Sequence, residues 1–173
     1  MKQITIAKSA GFCFGVNRAI NIVNNLLDKN VKVSTLGPII HNMEVVNELE
    51  SRGCKAVSSI DEVENGATLV IRSHGVPKYV IDKLVENGVK YEDATCPFVK
   101  KIHNIVANPD NKDGIVLIAG NSVHPEVEGI IGHCSTECHT FKNSEEIDEI
   151  YSNILKTNNK QVFVVAQTTF DTK

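Results

Sequence analysis

Apolar positions along this chain follow two alternating rhythms. Short runs rich in β-branched residues, at 3–7, 31–35, 68–72, 114–119 and 161–166, predict buried strands, and 54–57 reads as a further short one. Between them the period lengthens to that of a helix. Residues 14–28 carry Val16, Ala19, Ile20, Val23, Leu26 and Leu27 on one face, and 42–52 carry Met43, Val46 and Leu49 before Gly53 stops the pattern. The segments 77–87 and 97–107 both open on proline, which is favoured at the first helical position, and Pro125 starts another helix in the same way. Strands that alternate with helices predict an α/β fold with parallel sheets. Two similar small units of about four strands are expected, at 1–96 and 97–173, hinged around Thr95-Cys96-Pro97, with a surface turn at 108–111.

The division into two units is supported by a repeat. Cys13 and Cys96 lie 83 positions apart (96 − 13), as do His41 and His124 (124 − 41). Val16 and Val99, Asn21-Ile22-Val23 and Asn104-Ile105-Val106, and Gly37 and Gly120 keep the same offset. Internal duplication places equivalent residues around a pseudo-symmetry axis, so a repeated thiol and a repeated imidazole can converge on one central site.

Composition narrows the function classes. The longest apolar stretches fall far short of the ~18 residues a membrane span requires, and the N-terminus lacks the length and apolar centre of a secretory signal. A cytoplasmic location is therefore expected. Five cysteines there stay mostly reduced and read as metal ligands, reactive thiols or small core residues. A net charge of −3, no basic block and no Trp argue against nucleic acid as a partner.

In parallel α/β folds ligands bind at the carboxyl ends of the strands, where loops lead into helix starts. Cys13, His41, His74, Cys96, His124 and Thr168 are all expected there. Each thiol beside a helix N-terminus would favour the thiolate that metals require. Three histidines at strand-to-helix turns, together with helix amides, make an anion pocket suited to phosphate or diphosphate. Glu126, in the first turn after Pro125, reads equally as a partner of the helix dipole and as a proton donor. Thr168 reads either as a local turn former or, with Gln167, as part of the site. Cys54 reads as a core thiol. The segment 133–139 has the density of a zinc site but no common zinc spacing. Two other readings stay open: a non-catalytic diphosphate- or phosphate-binding α/β module, and a structural zinc protein using Cys134 and Cys138.

The motifs Ala10-Gly11-Phe12-Cys13-Phe14-Gly15-Val16, Ile40-His41-Asn42, Ser73-His74-Gly75-Val76, Asp93-Ala94-Thr95-Cys96-Pro97, His124-Pro125-Glu126-Val127-Glu128-Gly129 and Gln167-Thr168-Thr169 resemble the LytB/IspH family. These are the 4-hydroxy-3-methylbut-2-enyl diphosphate reductases of isoprenoid biosynthesis by the methylerythritol phosphate pathway. The likeness covers essentially the whole chain but about the first three fifths of a family member. It implies a pseudo-threefold trefoil of α/β units around a [4Fe–4S] cluster held by three cysteines, two of them Cys13 and Cys96. It further implies reductive loss of a hydroxyl to give isopentenyl and dimethylallyl diphosphates, with ferredoxin or flavodoxin as electron donor. Glu126 would deliver a proton with help from Thr168, His41, His74 and His124 would line the diphosphate pocket, and His124 would also stand near the proton path. The family's third cysteine and its Ser/Asn motif fall beyond Lys173 in the pattern, and the strand at 3–7 would pack toward that third unit. A labile cluster and no activity are therefore expected of these residues alone, unless another chain supplies the rest.

Overall fold

Every strand pairing is parallel, so the chain must cross back over a sheet between paired strands, and helices make most of those crossings. The computed structural model describes residues 4–7, 10–108, 113–157 and 159–170. The elements in order are α1 (Phe14–Leu27), β1 (Val33–Leu36), α2 (Met43–Ser51), β2 (Cys54–Val57), β3 (Thr68–Ile71), α3 (Lys78–Glu86), β4 (Tyr91–Asp93), α4 (Pro97–Ala107), β5 (Ile115–Ala119), α5 (Pro125–His133), β6 (Glu137–Phe141), α6 (Ser144–Asn153) and β7 (Val162–Ala166). They form an α/β fold with two parallel sheets, ordered β2-β1-β3-β4 and β6-β5-β7.

The 83-residue offset survives as architecture. Val33 in β1 and Val116 in β5 keep it (116 − 33), as do Cys54 and Glu137, which open β2 and β6 (137 − 54). In each sheet the central strand is flanked by the next strand on one side and the one after it on the other. The offset then widens to 94 between Thr68 and Val162, which open β3 and β7 (162 − 68). The cause is local: α6 fills the second crossing, where the first holds only the single 3-10 turn Ile60–Glu62.

Parallel strands covered on both faces read as continuous apolar runs, and β5, Ile-Val-Leu-Ile-Ala, is buried at all of its positions. In the first sheet Ala19 and Val23 of α1 and Leu49 of α2 pack on one face with Val33 and Val70, while Val80 and Leu84 of α3 pack on the other with Leu69 and Ile71. In the second, Val106 of α4 and Val127 and Ile130 of α5 cover Val116 and Ile118. Helix starts are fixed by local chemistry: Asn42 Oδ1 accepts from Val45 N–H at 3.1 Å, Asn143 Oδ1 accepts from Glu146 N–H at 2.9 Å, and Pro97 and Pro125 occupy the first turns of α4 and α5. Gly53, φ +98°, turns the chain out of α2 and into β2, a conformation that costs side-chain-bearing residues dearly.

The two sheets meet through α3, α4 and α5. Gly132 of α5 lies against Pro77 so closely that an added Cβ would stand 2.8 Å from its Cα, and the rings of His103 and His133 stack at 4.1 Å with an 18° tilt. His103 is 5% exposed.

Three expectations are corrected. Residues 4–7 form no strand; Ile4 and Ile6 are 87% and 79% exposed, because an alternating pattern specifies a face but cannot supply a partner strand. Gln3 lies outside the described residues, as does most of the 108–111 turn. Among the described residues the second sheet has three strands, not about four, and β4 and β6 arise where no strand was foreseen.

Candidate functional site

The carboxyl ends of the strands converge on a cavity of about 160 Å³ lined by Cys13, Gly15, Val16, Ser73, His74, Cys96, Val99, His124, Glu126, Thr168 and Thr169. It draws on both sheets and on the starts of α1, α4 and α5. Cys13 and Cys96, partners in the repeat, occupy the same structural position, the N-cap residues of α1 and α4, and neither side chain caps its helix. Cys13 follows an unpaired segment and not a strand, which corrects the expected strand-end placement, and is exposed; Cys96 is half-buried. An added Cβ on Gly15 would stand 2.7 Å from Cys96 Sγ, so only glycine lets α1 approach that sulfur.

The turn that presents Cys96 is pinned from several directions. Thr95 N–H donates to Asp93 Oδ1 at 3.0 Å, Cys96 N–H donates to Ser73 O at 2.9 Å, and Arg18 donates to Thr95 O at 3.2 Å and Asp93 O at 3.1 Å. Burial raises the Asp93 carboxyl, but hydrogen bonds from Lys100 and Thr95 outweigh it and hold the group below its usual range. Asp93 therefore stays ionised as a brace for the turn.

The second wall is acidic. Glu126 is 2% exposed, and Thr168 serves both of its carboxylate oxygens: Thr168 N–H donates to Oε1 at 2.6 Å and Thr168 Oγ1 donates to Oε2 at 2.8 Å. Burial without partners would be prohibitive for a carboxylate, so this clamp is what lets Glu126 face the cavity. His124 Nδ1 accepts from Glu126 N–H at 3.1 Å, capping α5. In the neutral ring the proton then sits on Nε2, leaving a donor available. Gln167 ties the end of β7 to that of β5, with its N–H donating to Ala119 O at 2.8 Å and its Oε1 accepting from Asn121 N–H at 3.3 Å.

The histidines form a chain. Ring centroids lie 5.1 Å apart for His41 and His74 and 5.6 Å apart for His74 and His124. Burial pushes His74 down to about 4, and repulsion from His41, Arg72 and His124 adds to it, so its ring is neutral at pH 7. His74 Nδ1 is buried without a partner. His41 is exposed and stands at the rim, outside the residues that line the cavity.

Sequence reasoning passed over His103. It occupies a core position of the α4 stripe, between Val99 and Val106, which is why it reads as filler. An added Cβ on Gly75 (φ +75°) would stand 2.7 Å from its ring, so His103 supports the turn that carries His74. Arg72 was likewise unassigned; burial lowers its pKa, and it lines a separate hollow of about 420 Å³ that contains none of the cysteines or histidines. Cys54 lies in the core at 4% exposure, and burial, with Glu50 nearby, pushes its thiol up to about 11. Across 133–139 the groups diverge: His133 Nε2 bonds Val76 O at 3.1 Å, while His139 Nε2 bonds Glu137 Oε1 at 2.9 Å. Among the described residues no group of three or more His, Cys, Asp or Glu is placed to hold a metal ion, and no helix is long and apolar enough to cross a membrane.

A family model described as LytB protein matches residues 4–173. The 4-hydroxy-3-methylbut-2-enyl diphosphate reductase of Clostridioides difficile (strain 630) is 41% identical over 170 residues, covering 98% of this chain and 60% of its own. That of Geobacter sp. (strain M21) is 37% identical over 167 residues, covering 96% and 57%. Among solved structures, an (E)-4-hydroxy-3-methyl-but-2-enyl diphosphate reductase, described as the terminal enzyme of the non-mevalonate pathway, matches with TM-score 0.82 and 39% identity over 98% of this chain and 59% of its own. The Plasmodium falciparum E-1-hydroxy-2-methyl-but-2-enyl-4-diphosphate reductase matches with TM-score 0.81 and 30% identity over 94% and 50%. The chain spans about 60% of the length of the curated relatives it matches. With a family match running from residue 4 to residue 173 and the fold in agreement, the chain belongs to the LytB family.

Proposed function

We propose that this chain carries two of the α/β units, residues 1–96 and 97–173, of a reductase that removes the hydroxyl of 4-hydroxy-3-methylbut-2-enyl diphosphate. The observation that carries the reading is Glu126, a desolvated carboxylate clamped through both oxygens by Thr168, in the wall of the same cavity that Cys13 and Cys96 line.

Cys13 and Cys96 fit two ligand positions of an iron–sulfur cluster. Both thiols stand uncapped at helix starts and face one cavity, and the missing side chain of Gly15 leaves the room that Cys96 Sγ occupies. When bound, a [4Fe–4S] cluster supplies electrons and a Lewis-acidic iron for loss of the hydroxyl as water. The other steps fall to the chain. Glu126, once it has taken up a proton from solvent, passes it to the departing hydroxyl, and the Thr168 hydroxyl, able to donate or accept, follows the change in charge on the carboxyl group. His74 and His124, with His41 at the rim, receive the diphosphate as N–H donors. An arriving anion relieves the repulsion among His41, Arg72, His124 and His74, so its binding raises the His74 pKa from about 4 and takes up protons below neutral pH. Electrons would come from a ferredoxin or flavodoxin.

Titrating the chain with hydroxymethylbutenyl diphosphate and with inorganic diphosphate, each with and without anaerobically supplied iron and sulfide, tests the reading. Iron should strengthen binding of the alcohol-bearing compound selectively. Equal affinities throughout would favour an anion-binding module without redox chemistry.

A further inference from the structure

The turn between α5 and β6 holds two cysteines that take no part in the cavity. Cys134 caps the C-terminus of α5, its Sγ donating to Ile130 O at 3.4 Å. Cys138 is the second residue of β6, and its parallel register with Val116 places it on the sheet face that α5 covers. Both half-buried thiols pack against the same cluster of Val106, Val116, Ile118, Val127 and Ile130, and they act directly on each other. The neighbouring histidines are engaged elsewhere, His133 with Val76 O and His139 with Glu137. What the turn presents is therefore a dithiol and not a metal-binding set.

We propose that Cys134 and Cys138 form a reversible disulfide, an oxidation-sensitive clasp between the end of α5 and β6. The two thiols have unequal roles. The Cys134 thiol is the largest influence on Cys138 and lowers it, opposed by burial, so Cys138 is the readier thiolate of the two. The neighbouring Cys138, with burial, pushes Cys134 up and keeps it protonated. With a peroxide as oxidant, the Cys138 thiolate attacks one peroxide oxygen and expels hydroxide, which leaves as water once protonated, and Cys138 becomes a sulfenic acid. Cys134 sulfur then attacks the Cys138 sulfur, the S–O bond breaks, the thiol proton leaves with the hydroxyl as a second water, and the S–S bond forms. Two electrons pass from the thiols to the peroxide, and a small dithiol reductant reverses the change. The clasp would tether the far end of the helix whose first turn carries Glu126, and it stands independently of the reductase reading.

Peptide mapping of the peroxide-treated 173-residue chain at pH 7 tests this. The segment 113–142 contains both cysteines without an internal Lys or Arg, and Glu137 offers a cleavage point between them. The expected result is that segment lighter by two hydrogens, held together after cleavage at Glu137, restored by dithiothreitol, and formed about ten-fold faster than any oxidised product at Cys13. In Cys134→Ser the clasp cannot close, so Cys138 should accumulate as a sulfenic acid that dimedone traps, and its alkylation should need higher pH. Separate recovery of Cys134 and Cys138, unlinked while Cys13 is oxidised, would overturn the proposal. So would a Cys138 alkylation profile unchanged by Cys134→Ser.

Discussion

The two sheets share a topology yet differ in how completely they are covered. In the first, helices seal both faces, and Leu69, Val70 and Ile71 of β3 are all fully buried. In the second, α4 and α5 seal one face, but α6 buries no residue, and Val162 and Val164 of β7 stay 39% and 63% exposed. The two sheets thus agree more closely at the central strand and the site-facing helix starts than at their flanks. The chemistry divides along the same line: the loop after β3 contributes a half-buried neutral imidazole in His74, and the helix after β5 an acid in Glu126 with its Thr168 clamp.

The largest effect is expected where the sheets are fully covered. Ile71→Ala in β3 and Ile118→Ala in β5, both 0% exposed, should each cost about 3–4 kcal/mol in denaturant unfolding, whereas Val164→Ala should cost under about 1 kcal/mol. Comparable losses at all three would remove the contrast between the covered and open faces. Next comes the seam between the sheets. Gly132→Ala forces a Cβ into Pro77, 2.8 Å from its Cα, and should cost about 2–3 kcal/mol, with earlier loss of hydrogen-exchange protection in α3 and α5 than in β1.

The histidine stack at that seam adds a pH dependence. Burial, with repulsion from His133 and Lys100 and against attraction from Asp93, holds His103 at about 4, while the unfolded imidazole titrates near 6.5. Between those values the unfolded state binds more protons, so the contribution is fully present above about pH 6.5 and fades as pH falls toward 4. His103 should account for a drop of roughly 2 kcal/mol in unfolding free energy between pH 7 and pH 5, with His74 adding to the slope in the same direction, and His103→Phe should remove the His103 share; an unchanged slope would place the titration elsewhere. The smallest effect belongs to the clamp. Thr168→Val removes one of two donors to Glu126 and should cost about 1 kcal/mol of stability, measured by urea titration.

Much of this was legible before the structure. Apolar periods found α1 and α2, because those helices bury a stripe, and proline marked the starts of α3, α4 and α5. No such stripe exists on α6, which has no buried residue, and β6 mixes Glu137 and His139 with its apolar positions, so neither left a period to read. The strand pattern at 4–7 failed for the converse reason, a period without a partner. Cys13, Cys96, His41 and His124 were visible through their repeat, and His74 through its place after a strand. The bond between Glu126 and Thr168 was not, since it joins residues 42 positions apart on different elements.

The central claim, that Cys13 and Cys96 together face a cluster site, is tested most directly by anaerobic reconstitution with iron and sulfide, counting both per chain in wild type, Cys13→Ser, Cys96→Ser and the double Cys134→Ser/Cys138→Ser variant. The account predicts weakly held iron and sulfide, fewer than four irons per chain, reduced to background by either Cys13→Ser or Cys96→Ser and unchanged in the double variant. Iron retained in both single variants, or lost only when Cys134 and Cys138 are replaced, would contradict it.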